Sequence, residues 1–227
     1  MRLLKVLMEG AVSSFRYPHF VQQVQISFDM PPPATIYGHV CSAVGDFIAP
    51  ELTKFAYNFR YERKFFDFEH LHFFGKEAKM APFNRELLFR PQMTLYLSNV
   101  ALKEHFLHPR NAVVLGRSQD LMTYVDVREV ELERAEKTFF CDTLLSLDQA
   151  AQIGGRTYAV TMPQYLDPSR KPRWNQFAVL QGEAIYPDPD TFQIDGNDTL
   201  EIWVDPEADA KHAEQALQRG IIWHGWV

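Results

Sequence analysis

The spacing of apolar positions changes several times in the first 60 residues, and each change predicts an element. Residues 3–9 are an apolar run of strand length that ends at Gly10. Residues 21–28 place Val21, Val24, Ile26 and Phe28 in near alternation, with one slip at Gln22-Gln23, and predict a strand or strand pair. Pro31-Pro32-Pro33 then breaks the ladder, because proline lacks the N–H that pairing needs. After it Ile36, Val40, Val44, Phe47 and Ile48 recur at helical spacing, with Thr35 placed to cap the helix and Pro50 to bound it.

Alternation returns at 55–59. Residues 60–90 are dense in aromatic and basic side chains, punctuated by Gly75 and Pro82, and predict a protruding hairpin-like excursion. Short strands are expected at 93–97, 122–127, 158–162, 177–185 and 200–204, and a short helical piece at 148–155. Residues 111–116 form another apolar run, 163–175 read as a Pro-rich basic loop, and 206–219 as a polar helix capped by Gly220. The charges of 128–137 are too evenly mixed to assign. Many strands with few helices indicate an α+β fold with an antiparallel sheet, as one compact body with an excursion.

Composition narrows the class. At 227 residues, 46% hydrophobic and 23% charged, the chain has the proportions of a soluble globular protein, which excludes disorder, collagen and coiled coil. No apolar run reaches the roughly 18 residues of a membrane span. The N-terminus carries a charge too early for a secretory signal. Cys41 and Cys141 stand far apart without a CxxC partner, so a cytoplasmic location is expected, with a single disulfide between them left open.

The net charge of −6 is not uniform. Residues 181–214 hold ten acids against Lys211 alone, while 54–90 hold eight bases against five acids. An anionic polymer could therefore be met only through a local patch.

Common catalytic signatures are missing: there is no G-x-S-x-G elbow, no GxGxxG and no P-loop. His70 and His72 share one side of a strand, but no third ligand stands at a confirming spacing, so neither a metal nor a cofactor is expected. What remains is a polar and basic set in turns. Ser13-Ser14-Phe15-Arg16 follows the first strand. Gly38 removes a Cβ near the start of the helix, whose free N–H groups favour anions. Gly116-Arg117-Ser118-Gln119-Asp120 offers a flexible glycine and a guanidinium. Arg60, Arg63, Lys64, Phe65, Phe66, Phe73, Phe74, Arg85, Phe89 and Arg90 interleave rings with cations, as single-strand nucleic-acid surfaces do.

The block Glu9-Gly10-Ala11-Val12-Ser13-Ser14-Phe15-Arg16-Tyr17-Pro18, followed by Ser27-Phe28-Asp29-Met30-Pro31-Pro32-Pro33-Ala34-Thr35-Ile36-Tyr37-Gly38, resembles the fifth CRISPR-associated (Cas) family. That family is the RAMP subunit of type I Cascade that caps the crRNA 5′ handle. Arg85-Glu86-Leu87-Leu88-Phe89-Arg90-Pro91 and Leu115-Gly116-Arg117-Ser118-Gln119-Asp120-Leu121 resemble its type I-B branch. The resemblance covers residues 1–125 well and the rest weakly. It implies a ferredoxin-like, RRM-like RAMP domain over 1–125 with a β-hairpin thumb at about 60–92, and a β-rich part over 126–227 completing the same body.

It also implies a non-catalytic, cytoplasmic prokaryotic subunit of antiviral defense. Its partners would be the crRNA 5′ handle, the Cascade backbone and large subunits, and target DNA through the complex, with no membrane. The RNA contacts expected on this basis are Arg16, Thr35, Tyr37, Gly38, Arg85, Arg90, Gly116, Arg117, Ser118 and Gln119, with the acidic 181–214 region facing away. The type I-C branch instead cleaves pre-crRNA without metal, and Tyr37, His39 and Lys64 are the residues such an endoribonuclease would use here. A protein-only assembly scaffold is the third reading.

Overall fold

The structure is a computed structural model that describes every residue except 19–23, 74–78, 188–199, 209–210 and 213–216. Its first half runs β1 (Arg2–Gly10), β2 (Val12–Ser13), β3 (Val24–Gln25), α1 (Pro33–Val44), β4 (Phe55–Arg60), β5 (Arg63–Phe73), β6 (Lys79–Phe89), β7 (Gln92–Leu97), α2 (Lys103–Leu107) and β8 (Met122–Glu131). The main sheet has the antiparallel order β4-β7-β1-β8, so the first strand sits inside it, between partners about 90 and 120 residues away. β5 and β6 form an 11-residue antiparallel hairpin in continuous register from Arg63↔Phe89 to Phe73↔Lys79. Its root is held by β2, antiparallel to β6, and by β3, parallel to it.

The second half comprises β9 (Glu133–Arg134), β10 (Thr138–Cys141), β11 (Leu144–Leu145), α3 (Leu147–Ile153), β12 (Thr157–Leu166), β13 (Pro172–Leu180), β14 (Glu183–Tyr186), β15 (Trp203–Val204), β16 (Lys211–His212), β17 (Leu217–Gln218) and β18 (Gly220–Ile221). β12 and β13 make a second long hairpin, with β11 on the outer edge of β13.

Alternation along β1 supplies both faces of the main sheet. Leu4, Val6 and Met8 point to the side where Ile36 and Val40 of α1 pack, in a core shared with Val160, Phe177 and Trp226. Leu3 points to the other side, where Ala56, Tyr96 and Val130 meet Ile221 and Trp223. Trp226 lies fully buried and stacked on Phe55 at 4.6 Å, its indole N–H donating to the Pro33 carbonyl at 2.9 Å. The 126–227 stretch thus supplies side chains to both faces of a sheet built mainly from residues 1–125. The third core lies under α3 and is built from Phe140, Leu145, Ile153 and Leu180. Cys41 and Cys141 are separate buried thiols, which closes the disulfide alternative.

Several local expectations are corrected. Thr35 does not cap α1: the cap is Pro32, whose carbonyl accepts from the Thr35 N–H at 2.8 Å, and Thr35 lies inside the first turn. The helix ends at left-handed Gly45, φ 88°, well before Pro50, because the glycine adopts a conformation that side chains resist. Residues 163–175 are the paired ends of β12 and β13 around a tight turn, in which Arg170 N–H donates to the Asp167 carbonyl. The strand expected over 177–185 is broken at Gly182, φ 77°, into β13 and β14.

The polar helix over 206–219 is likewise absent among the described residues, which form a turn after Asp205 and then β16, β17 and β18. The Val21 start of the second strand and Phe74, Gly75 and Lys76 of the excursion lie outside the described residues. So does much of the acidic 181–214 stretch.

Candidate nucleic-acid interface

Three of the segments singled out in the sequence converge at the root of the β5–β6 hairpin. The chain leaves β1 at Gly10 and pairs Val12 and Ser13 with Phe89 and Leu88 of β6. Ser14 then donates its hydroxyl to the Glu86 carbonyl at 2.9 Å and its N–H to Asp120 Oδ2 at 3.0 Å. Asp120 is fully buried, and its Oδ2 also accepts the Arg117 N–H at 2.9 Å. The 116–120 loop is therefore wrapped around one carboxylate. Gly116, φ 113°, is required here, because a Cβ would stand 2.8 Å from both the Ser14 carbonyl and Asp120 Oδ2.

The Arg117 guanidinium is held from two sides. Nη2 donates to Asp120 Oδ1 at 2.7 Å and Nη1 to Glu69 Oε1 at 2.6 Å. The other oxygen of Glu69 takes Arg85 Nε at 2.8 Å, so one carboxylate bridges two arginines. Burial works against the Arg117 charge, but Asp120 and Glu69 outweigh it and hold the group above its ordinary value.

On the opposite face of the hairpin, Lys64 pairs with Asp29 at 2.6 Å and Glu86 at 3.4 Å. Glu86 accepts the Ser27 N–H, and Asp29 accepts the Tyr61 and Tyr158 hydroxyls. Burial alone would raise the Asp29 carboxyl, yet Lys64 and the two hydroxyls hold it below the usual range.

The expected contact residues divide into three groups. Arg16, Gly38, Arg90, Ser118 and Gln119 are exposed, and a Cβ on Gly38 would meet nothing within 4 Å. Thr35 is half-buried on α1. Arg85, Gly116 and Arg117 belong to the network just described, with Arg85 also lying 4.9 Å over the Phe83 ring. Arg90 stands apart with Glu62 at 2.8 Å, its backbone N–H donating to the Ala11 carbonyl.

Tyr37 is a correction as a surface contact. It is 2% exposed, packs edge-on against Trp226 and Tyr165, and donates its hydroxyl to the Ile48 carbonyl. Burial first, then Tyr165 and Cys41, push its pKa up. His39 is also buried, with Nδ1 at 2.8 Å from the Val114 carbonyl and Nε2 at 2.9 Å from the Tyr124 hydroxyl. Burial lowers its pKa, offset in part by Val114. Tyr37, His39 and Lys64 thus have three separate sets of partners, and the structure does not bring them together.

Sequence reasoning missed the acids Asp29, Glu69 and Glu86, which fix the cations it had selected. Only Asp120 left a trace, three residues after Arg117. Beyond the root, Phe66 and Phe68 are 58% and 62% exposed, and His70 and His72 follow on the same face. No group of three metal-ligating side chains occurs among the described residues.

Neither a protein-family model nor a curated relative matches the chain. Solved structures do. A chain of a CRISPR RNA-guided surveillance complex superposes with a TM-score of 0.56 at 12% identity, over 81% of this chain and 90% of that one. A chain of a type III-B Cmr-beta complex bound to cognate target RNA and AMPPnP gives 0.49 at 13% identity, over 80% and 85%. A CRISPR protein from Archaeoglobus fulgidus gives 0.48 at 14%, over 82% and 91%. The chain therefore shares its α+β fold with a subunit of a CRISPR RNA-guided complex. No helix among the described residues is long and apolar enough to cross a membrane.

Proposed function

We propose that this chain is the crRNA 5′-handle-binding, capping subunit of a type I, I-B-like CRISPR surveillance complex. The observation that carries the reading is the convergence at the hairpin root: the turn at Ser14 and the Gly116–Asp120 loop meet on the buried Asp120 carboxylate, and the Ser14 hydroxyl ties both to β6 through the Glu86 carbonyl. The sheet order β4-β7-β1-β8, with α1 after the first strand and α2 before the last, supports a ferredoxin-like RAMP domain whose thumb is β5–β6.

In this reading Arg16, Ser118, Gln119 and the open surface over Gly38 meet the RNA. Arg117, Arg85 and Gly116 shape the loop, and Phe66 and Phe68 offer ring faces to splayed bases. Backbone and large subunits pack against the rest, and target DNA is met through the assembled complex. The role is binding without catalysis, since a 2′-OH base and a phosphate cation must lie within hydrogen-bond reach of one site. Tyr37, His39 and Lys64 each have their own set of partners, which favours this reading.

The test is labelled repeat RNA with purified protein in EDTA, run on native and denaturing gels. A shifted, intact band that weakens when the 5′ handle is scrambled is the expected result. A discrete cut would make the chain a processing nuclease. No shift with or without partner subunits would leave the scaffold reading.

A further inference from the structure

His39 is buried on α1 and stands outside the ion-pair network at the hairpin root. Residues 110–114 run back along this helix toward it. The Arg110 N–H donates to the Ala43 carbonyl at 3.0 Å, Asn111 Nδ2 to the Ser42 carbonyl at 3.0 Å, and His39 Nδ1 meets the Val114 carbonyl at 2.8 Å. His39 is thus the last tie to α1 before the chain enters the Gly116–Asp120 loop. Just beyond, the loop closes on itself through the bridge between Val114 and Leu121 and the Leu115 N–H on the Asp120 carbonyl at 3.0 Å.

The returning arm meets the same ring, with the Tyr124 hydroxyl 2.9 Å from His39 Nε2. A regular strand would aim Tyr124 away from α1, since Asp126 pairs with Leu7 and residues two apart share a face. The register shifts between Leu7 and Met8, so Val125 is an extra residue in β8 and Tyr124 pairs with Met8, on the side where α1 packs. The bulge leaves Val125 60% exposed and delivers the hydroxyl to the imidazole. A carbonyl only accepts, so Nδ1 carries the proton toward Val114. Burial keeps the ring neutral, so Nε2 accepts from Tyr124. One imidazole therefore holds both arms of the loop, while Asp120 holds it from the hairpin side. Between these supports Ser118 and Gln119 are exposed.

We propose that His39 is a positioning residue for the handle: through Val114 and Tyr124 it sets both arms of the 116–120 loop, and so where Ser118 and Gln119 meet RNA. The inference rests on the capping reading, in which that loop is a contact surface. His39 acts from the core and touches no RNA itself. An apolar side chain would fill the same space, but only a donor and an acceptor on one rigid ring fix the two arms relative to each other.

Amide hydrogen exchange of the full chain reads the loop, and fluorescence anisotropy with labelled repeat RNA carrying the 5′ handle reads the contact. His39→Leu removes both hydrogen bonds and is expected to speed exchange over 114–121 and to weaken handle binding, each about tenfold, the scale of leaving buried partners unpaired. Tyr124→Phe deletes a single oxygen, spares the fold and is expected to move both readouts about threefold. His39→Asn keeps a donor where Nδ1 stands and is expected to bring binding back to within about threefold of wild type. The acceleration should be confined to the loop and its arms, whereas a merely structural residue would speed exchange in β1 and β7 as well. Unchanged exchange over 114–121 in both His39→Leu and Tyr124→Phe, or acceleration spread equally through β1, would overturn the proposal and leave the capping role standing. Faster loop exchange with unchanged handle binding would also overturn it, by removing the loop from the RNA surface, and the failure would then lie in the capping reading.

Discussion

Two lysine–carboxylate clusters in this molecule are built from similar groups to different ends. Lys5 and Asp205 are 2% and 0% exposed, joined at 2.5 Å, with the Tyr96 hydroxyl and the Glu207 N–H on the same carboxylate. Lys64, Asp29 and Glu86 keep between 12% and 30% of their side-chain surface in water. The first cluster has every polar group spent inside and locks the 205–208 turn onto β1. The second spends its charges tying the hairpin to the N-terminal turn, with solvent at one side. Burial of the charge separates a tight clamp from a weaker tie, since breaking a dry pair strands an ion and breaking a wet one does not.

The largest effect should come from the dry cluster. Lys5→Met leaves Asp205 uncompensated and is expected to cost about 3–5 kcal/mol in urea unfolding. A loss below about 1 kcal/mol would show that water reaches the pair and would erase the contrast. Next comes the loop locked on Asp120. Asp120→Asn loses the charge that Arg117 and two backbone N–H groups share, an expected loss of about 2 kcal/mol. Gly116→Ala should match or exceed it, because its backbone neighbours cannot yield; equal stability of Gly116→Ala and wild type would contradict the geometry.

Much of this was readable in advance, for physical reasons. β1 announces itself as a short apolar run because both of its faces are buried, and α1 because its dry face imposes a period near 3.6 on the residues. The 206–219 stretch misled because its described strands, β16 and β17, are two residues each, too short to impose a period on the residues. Arg117 was legible as a cation of interest, but Glu69 is 48 residues away in sequence, and nothing local ties the two together.

A smaller effect distinguishes the wet cluster by pH. Asp29 has its folded pKa depressed, so its stabilising contribution is complete above the ordinary carboxylate range and disappears as pH falls through the folded value. Asp29→Asn should flatten the acid limb of a stability–pH curve measured by urea titration, and an unchanged limb would exclude Asp29 as its source. The smallest effect is expected from Glu69→Gln, which loosens Arg85 and Arg117 in a half-exposed setting. A stability change within about 1 kcal/mol is anticipated by thermal unfolding. A larger loss would move Glu69 into the clamp class.

The position of β1 inside the main sheet has a consequence for how the chain comes to be folded. Its two neighbours, β7 and β8, are synthesised about 90 and 120 residues later, and Trp226 seals the core beneath it later still. A nascent chain therefore carries an unpaired, strongly apolar first strand until residues 92–97, and then 122–131, have emerged. Such long-range closure makes for slow folding and exposes the strand to misassembly until residue 226 has emerged.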